Sequence, residues 1–208
     1  MMKERPMLFS DPMVRALLAG TKTQTRRVVK FAREPIEHPQ MAGVMTARIG
    51  RRDVWVNSQA SHPNHISKAC PYGQPGDRLW VRETFSKVDG QTHPWIATDY
   101  RATYTHGDRL GDHLGIKRRW TPSIHMSREA SRILLEITSV RVERLQEISE
   151  ADAQAEGVCG VDWGHGMDYG GKACYRKPYQ QLWESINGPG SWDANPWVWV
   201  IEFKREQP

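Results

Sequence analysis

The sequence predicts an α+β fold, a mixed β-barrel with peripheral helices and large loop insertions. Three observations carry that expectation. Residues 78–85, 132–146 and 197–204 alternate apolar and polar side chains as strands do. Residues 11–19 and 149–156 carry helix start and stop signals. Between these elements lie three irregular stretches, about 31–72, 89–132 and 158–190, which read as insertions on one core. The 208 residues therefore form a single domain, 1–208, long enough to bury a core without a disulfide or metal staple.

In chain order, residues 7–10 predict a short first strand. The helix at 11–19 has Asp11 as N-cap, Pro12 in its first turn, and Met13, Val14, Leu17 and Leu18 on its apolar face, with Gly20 as its stop. Residues 21–30 predict an extended segment. Inside the first insertion, 44–56 has the pattern of a hairpin carrying Arg48, Arg51 and Arg52. Gly73-Gln74-Pro75-Gly76-Asp77 is a turn that leads into the strand at 78–85, and 95–104 has the pattern of another strand. The strand at 132–146 shifts register between Ile137 and Val140, which predicts a bulge near Ser139. Ser149 with Asp152 three residues on starts the second helix, and Gly157 ends it. A third helix is expected at 179–186, before the last strand.

Bulk properties narrow the function. A net charge of +5 suits a nucleotide or polyanion partner. Cys70, Cys159 and Cys174 are an odd number at irregular spacing, which reads as free thiols in a reducing cytoplasm. No apolar run has the length of a membrane span, and residues 1–6 lack the apolar stretch of a signal peptide, so a cytoplasmic protein without membrane partners is expected. Nine tryptophans supply buried area to a strand-rich domain, and one or two of them lining a cleft would stack on a base.

The densest chemistry sits directly after the first helix, in Gly20-Thr21-Lys22-Thr23-Gln24-Thr25-Arg26-Arg27. Taken alone, the segment also fits an ordinary strand surface, because threonine favours strands. A helix ending in Gly20 followed by Lys22, Thr25 and Arg26 resembles the G-x-K-x-x-T-R motif of the ASCH domain family. The likeness continues at 76–81, at 148–157 and at 199–204, in the family's order and over about half the chain. The resemblance implies a PUA-like β-barrel with a cleft beside the first helix. Small members of the family match this chain at Lys22, Thr25 and Glu156 and hydrolyse N4-acetylcytidine to cytidine and acetate. The large insertions make this chain more similar to the longer versions found in phages and prophages.

The chemistry of amide hydrolysis fits the three matched positions. Thr25 offers a nucleophilic hydroxyl, and Lys22 serves as base once burial and the cations Arg26 and Arg27 depress its pKa. Strand alternation turns residues three apart to opposite faces, so irregular backbone is expected between residues 21 and 25. Glu156 ends a helix, where the dipole disfavours a carboxylate and favours the protonated form that a proton donor needs. Arg26 is a candidate to hold the oxyanion. Trp80, Arg82 and Glu83 are candidates for substrate contact, with Glu83 able to accept from the amino edge of cytosine or, equally, to close a cross-strand salt bridge.

The implied activity is therefore an amidohydrolase acting on a modified cytidine, free or within RNA. A non-catalytic RNA-binding module and a ribonuclease are the alternatives. No cofactor and no metal are expected. Cys159, His165 and Cys174, with His62 or His65, have no compact zinc spacing. The run Lys117-Arg118-Arg119 reads as a solvated loop or as a phosphate contact.

Overall fold

The computed structural model describes residues 2–38, 41, 44–56, 62, 64–86, 98–106, 112, 115, 119–160 and 174–206. Ten strands and three helices of six residues or more lie among them, an α+β arrangement rich in sheet. The first strand, β1 (Glu4–Leu8), is followed by α1 (Asp11–Leu18) and β2 (Gln24–Val28). Next come β3 (Arg33–Glu37), β4 (Met45–Ile49), β5 (Arg52–Trp55), a 3-10 turn at Ile66–Ala69 and β6 (Arg78–Arg82). Short β7 (Phe85–Ser86) and β8 (Asp99–Tyr100) precede the long β9 (Leu134–Arg144). The chain ends with α2 (Glu150–Ala155), α3 (Arg176–Asn187) and β10 (Trp197–Arg205).

Five strands form the main sheet in the order β1-β6-β9-β10-β2, with β1 parallel to β6 and the other pairs antiparallel. A barrel would need β1 and β2 to pair. Among the described residues these edges do not exchange backbone hydrogen bonds, and the sheet stays open. Side chains occupy the seam: Arg27 donates through Nη2 to the Leu8 carbonyl at 3.1 Å, and its guanidinium lies 5.6 Å from the Phe9 ring centroid.

Strand alternation divides the sheet between two cores. Trp199, Ile201 and Phe203 of β10 face the larger cluster, with Val14 and Leu17 of α1, Leu79 and Val81 of β6, and Leu135 and Ile137 of β9. Val198 and Val200 face the second cluster, with Ala153 of α2 and Tyr179 and Trp183 of α3. The same alternation sorts β2, whose Thr25 and Arg27 pair with Ile201 and Trp199 while Arg26 pairs with Val200.

Several local expectations meet the structure closely, and others move. Ser149 caps α2 by accepting from the Asp152 amide at 3.0 Å. The β9 bulge leaves Thr138 as the extra residue, since Glu202 pairs with Ser139 and Phe203 with Ile137. The hairpin at 44–56 is β4 and β5, joined by β3 in a three-stranded sheet. Its Ala47, Val54 and Val56 belong to the larger core. The N-cap of α1 is Ser10, one residue before the expected Asp11, and its side chain makes no capping bond. The strand expected at 78–85 breaks after Arg82, because Thr84 and Phe85 turn away to pair with 99–101 and Thr121. Only Asp99–Tyr100 of the strand expected at 95–104 forms one, and residues 95–97 lie outside the described residues. Among the described residues no helix is long and apolar enough to cross a membrane.

Ile137 is fully buried beside the bulge, where its Cδ1 lies 2.8 Å from the position a Cβ on Gly73 would take. Packing this tight leaves little room for collapse. Ile137→Ala should cost about 2–5 kcal/mol in urea unfolding, and a loss under about 1 kcal/mol would show that the site relaxes to fill the gap.

Candidate functional site

Lys22 lies between α1 and β2, where the chain has left the helix and has not yet joined the sheet. The Thr21 and Lys22 amides both donate to the Ala16 carbonyl, at 3.0 and 3.2 Å. Lys22 then forms an isolated antiparallel bridge with Glu156, and the Thr23 amide donates to Ala155 at 2.8 Å. The regular ladder of β2 starts only at Gln24. The irregular backbone expected between residues 21 and 25 is this short pairing with the end of α2.

Gly157 makes that close pairing feasible. Its φ of +83° is in the region that L side chains avoid, and a Cβ there would stand 2.8 Å from the Cβ atoms of both Lys22 and Ala16. Any larger residue would push Lys22 off the helix end.

The side chains then converge. Lys22 Nζ donates to the Glu156 carboxylate at 2.9 Å, to the Glu156 carbonyl at 2.8 Å and to the Gln24 carbonyl at 2.8 Å. Three acceptors match the three protons of an ammonium. The other Glu156 oxygen accepts from Arg26 Nη1 at 3.2 Å, while Arg26 Nη2 donates to Glu143 at 2.5 Å and lies 3.6 Å from Asp152. Arg141 extends the network to Glu143, Asp152 and Glu202. Gln24 anchors it to α2 by donating to the Asp152 carbonyl at 2.7 Å.

Thr25 stands on the other face of β2. Its Oγ1 accepts from Arg27 Nη1 at 2.7 Å. The Phe9 ring bridges to Lys22, whose Nζ lies 5.8 Å from the ring centroid. Lys22 and Thr25 exchange no hydrogen bond, and the Gln24 carbonyl that binds Nζ belongs to the peptide leading into Thr25. Relative exposures are 4% for Lys22, 1% for Thr25, 2% for Arg26 and 4% for Glu156. The group is closed off from solvent, whereas the resemblance implies a cleft beside the first helix.

Burial pushes the Lys22 ammonium below its usual value of 10.5, Glu156 opposes that shift, and the Arg27 and Arg26 cations add to it. Tyr179 lies near enough to Glu156 and Arg26 to feel their charge, and burial raises its phenol well above 10, so it remains protonated. Burial works to raise Asp152, but Ser149, Arg26, Gln24 and Arg141 outweigh it and bring the carboxyl down.

The sequence-predicted substrate residues do not all gather here. Arg26 joins the cluster, but with Glu156, Glu143 and Asp152 and on the face opposite Thr25, where Arg27 and not Arg26 donates to Oγ1. Glu83 is buried with both oxygens held by Arg132 at 2.9 Å, which satisfies the carboxylate as a structural ion pair. Arg82 stacks on Trp80 with 4.7 Å between guanidinium and ring. None of Trp80, Arg82 and Glu83 bonds to Lys22, Thr25, Arg26 or Glu156. Glu143, Asp152 and Tyr179 were missed by sequence reasoning. The alternation of Arg141 and Glu143 along β9 was the one available signal.

Among the described residues no three His, Cys, Asp or Glu side chains gather as a metal site. Cys174 lies 3.7 Å from Glu150, burial pushes the Cys70 thiol up to about 11, and His165 lies outside the described residues. Arg119 is described, whereas Lys117 and Arg118 lie outside. No family model, curated protein or solved structure matches this chain.

Among the described residues Glu156 is the acceptor shared by the two buried cations Lys22 and Arg26. Glu156→Ala should therefore destabilise the fold by about 3–5 kcal/mol, because Lys22 and Arg26 lose their common carboxylate. Urea unfolding measures this, and a loss below about 1 kcal/mol would mean that water or another acid replaces Glu156.

Proposed function

We propose that this protein is an amidohydrolase that removes the acetyl group from N4-acetylcytidine or a related acylated cytidine, on an ASCH-type, PUA-like scaffold. The observation that carries the reading is the position of Lys22 Nζ. It lies 2.9 Å from the Glu156 carboxylate and 2.8 Å from the carbonyl of the residue before Thr25. An amine and a carboxylate thus meet in a buried place one peptide away from the Thr25 hydroxyl, the three kinds of group that acyl transfer from nitrogen requires.

The Lys22–Glu156 hydrogen bond joins the base to the acid. Lys22 works as the neutral amine, which burial favours over the ammonium. The proton it takes from the threonine hydroxyl passes along this bond to Glu156. Once the cover over Thr25 opens to admit substrate, Oγ1 attacks the acetyl carbon and its proton moves to Lys22. Arg27, which donates to Oγ1 at 2.7 Å, orients the hydroxyl and stabilises the oxyanion. Collapse of the tetrahedral intermediate breaks the carbon–nitrogen bond as Glu156 protonates the exocyclic nitrogen, and cytidine leaves. Water then attacks the acyl-threonine, releasing acetate and restoring the hydroxyl.

Incubation with N4-acetylcytidine, followed by chromatography for cytidine and acetate, tests the reading. Thr25→Ser should keep partial activity, whereas Thr25→Val and Lys22→Arg should each lose about 10²-fold or more, since arginine does not deprotonate. Parent-like turnover by Thr25→Val would remove threonine from the mechanism.

The pH dependence has a definite sign. Lys22 titrates below its usual 10.5, so activity should rise with pH through that depressed value. In the same window the unfolded chain binds more protons than the folded one, so stability should also rise with pH. A pH–rate profile that falls across that window would exclude Lys22 as the base.

A further inference from the structure

A second feature lies away from the buried cluster, where the three-stranded sheet meets the edge of the main one. Two adjoining cavities of about 490 and 410 Å³ share Arg52, Lys68 and Ala69 in their walls. The first is completed by Lys3 and Arg5 from the β1 edge and by Gln74 and Asp77 from the turn before β6. The second is completed by Asp53, Asn64 and His65.

The charge of these walls is one-sided. Lys3, Arg5, Arg52 and Lys68 supply four cations against the carboxylates of Asp53 and Asp77. Asp77 is held by Arg5 at 2.8 Å and also accepts from the Lys3 backbone amide at 2.9 Å. Asp53 already serves Arg48 at 2.9 Å and Arg33 at 3.2 Å, two further cations beside the groove. The Arg52 guanidinium and the Lys3 ammonium make no hydrogen bond or ion pair with a described residue, and both are exposed.

The floor is firm. The 3-10 turn Ile66–Ala69 that presents Lys68 is pinned by Gln74 Nε2 donating to the Ser67 carbonyl at 2.7 Å, and by the buried Ile66. Val54, two residues along β5 from Arg52, is buried and lines the second cavity. A trough two cavities long with an excess of cations in its walls has the charge and shape to bind a run of successive phosphates.

We infer that this groove binds the phosphodiester backbone of single-stranded RNA, through Lys3, Arg5, Arg52 and Lys68. The site is separate from the Lys22 cluster and does not depend on the amidohydrolase reading. A free nucleoside, having no phosphate, gains nothing from it.

Fluorescence anisotropy with a labelled oligocytidine about twelve nucleotides long tests the assignment across a salt series. Arg52→Gln with Lys68→Gln removes two exposed cations and should weaken binding about tenfold or more. The slope of log affinity against log salt should flatten by about 1.4, at about 0.7 per phosphate contact. Lys177→Gln, an exposed cation on α3, should leave both quantities unchanged. Thermal unfolding confirms that the variants fold. Absence of RNA binding by the parent overturns the inference, as does an unchanged slope in the double variant or an equal loss in Lys177→Gln. Complete displacement of the RNA by inorganic phosphate at equal concentration would also overturn it, reducing the groove to a site for a single anion.

Discussion

The buried contact between Lys22 and Glu156 holds the approach to β2 against the end of α2. The two residues are 134 positions apart, and they pair twice, as a backbone bridge and as an ion pair. Neither charge has water to fall back on, so each is obliged to the other. The bridge fixes the end of α2 against the end of α1, and Gly157 is the residue whose missing side chain lets them approach. Around it, Lys22, Arg26 and Arg141 face Glu143, Asp152 and Glu156, three charges against three, with the more exposed Glu202 at the margin. The balance explains how so many ionised groups stay inside a small domain.

Strand β2 gives this contact its reach. Successive residues alternate between the two cores, so Gln24 and Arg26 serve the charged network while Thr25 and Arg27 look toward α1 and Phe9. Lys22, just before the strand begins, is not bound by that alternation. Its Nζ touches the network through Glu156 and the other face through Phe9 and the Gln24 carbonyl. A regular strand starting three residues earlier would have denied it one of those contacts.

Much of the fold was legible because it rests on local patterns. Alternation along β6, β9 and β10, the Ser149 cap and the register shift near Ser139 are written in adjacent residues. The sheet's failure to close is not local. It follows from the Arg27 side chain and the Phe9 ring occupying the seam where a ladder would run, and neither residue carries a pattern that says so. At the site, Lys22, Thr25, Arg26 and Glu156 stood out through their spacing and through the resemblance to the ASCH family. Which face each one takes depended on where the β2 ladder begins. The partnership of Glu83 with Arg132, 49 positions away, likewise could not be read from the strand that holds it.

The two charged regions differ in a way that bears on function. In the Lys22 cluster each charged side chain finds an opposite one, and burial strengthens every pair while forbidding any charge to stand alone. In the groove beside β5 the cations exceed the carboxylates, and solvent is free to reach them. A folded chain gains little stability from an exposed surplus of like charge and pays some repulsion for it. The surplus is therefore better explained by what it attracts from outside than by what it holds within. The buried cluster, by contrast, needs no ligand to be balanced, because its cations and carboxylates already satisfy one another.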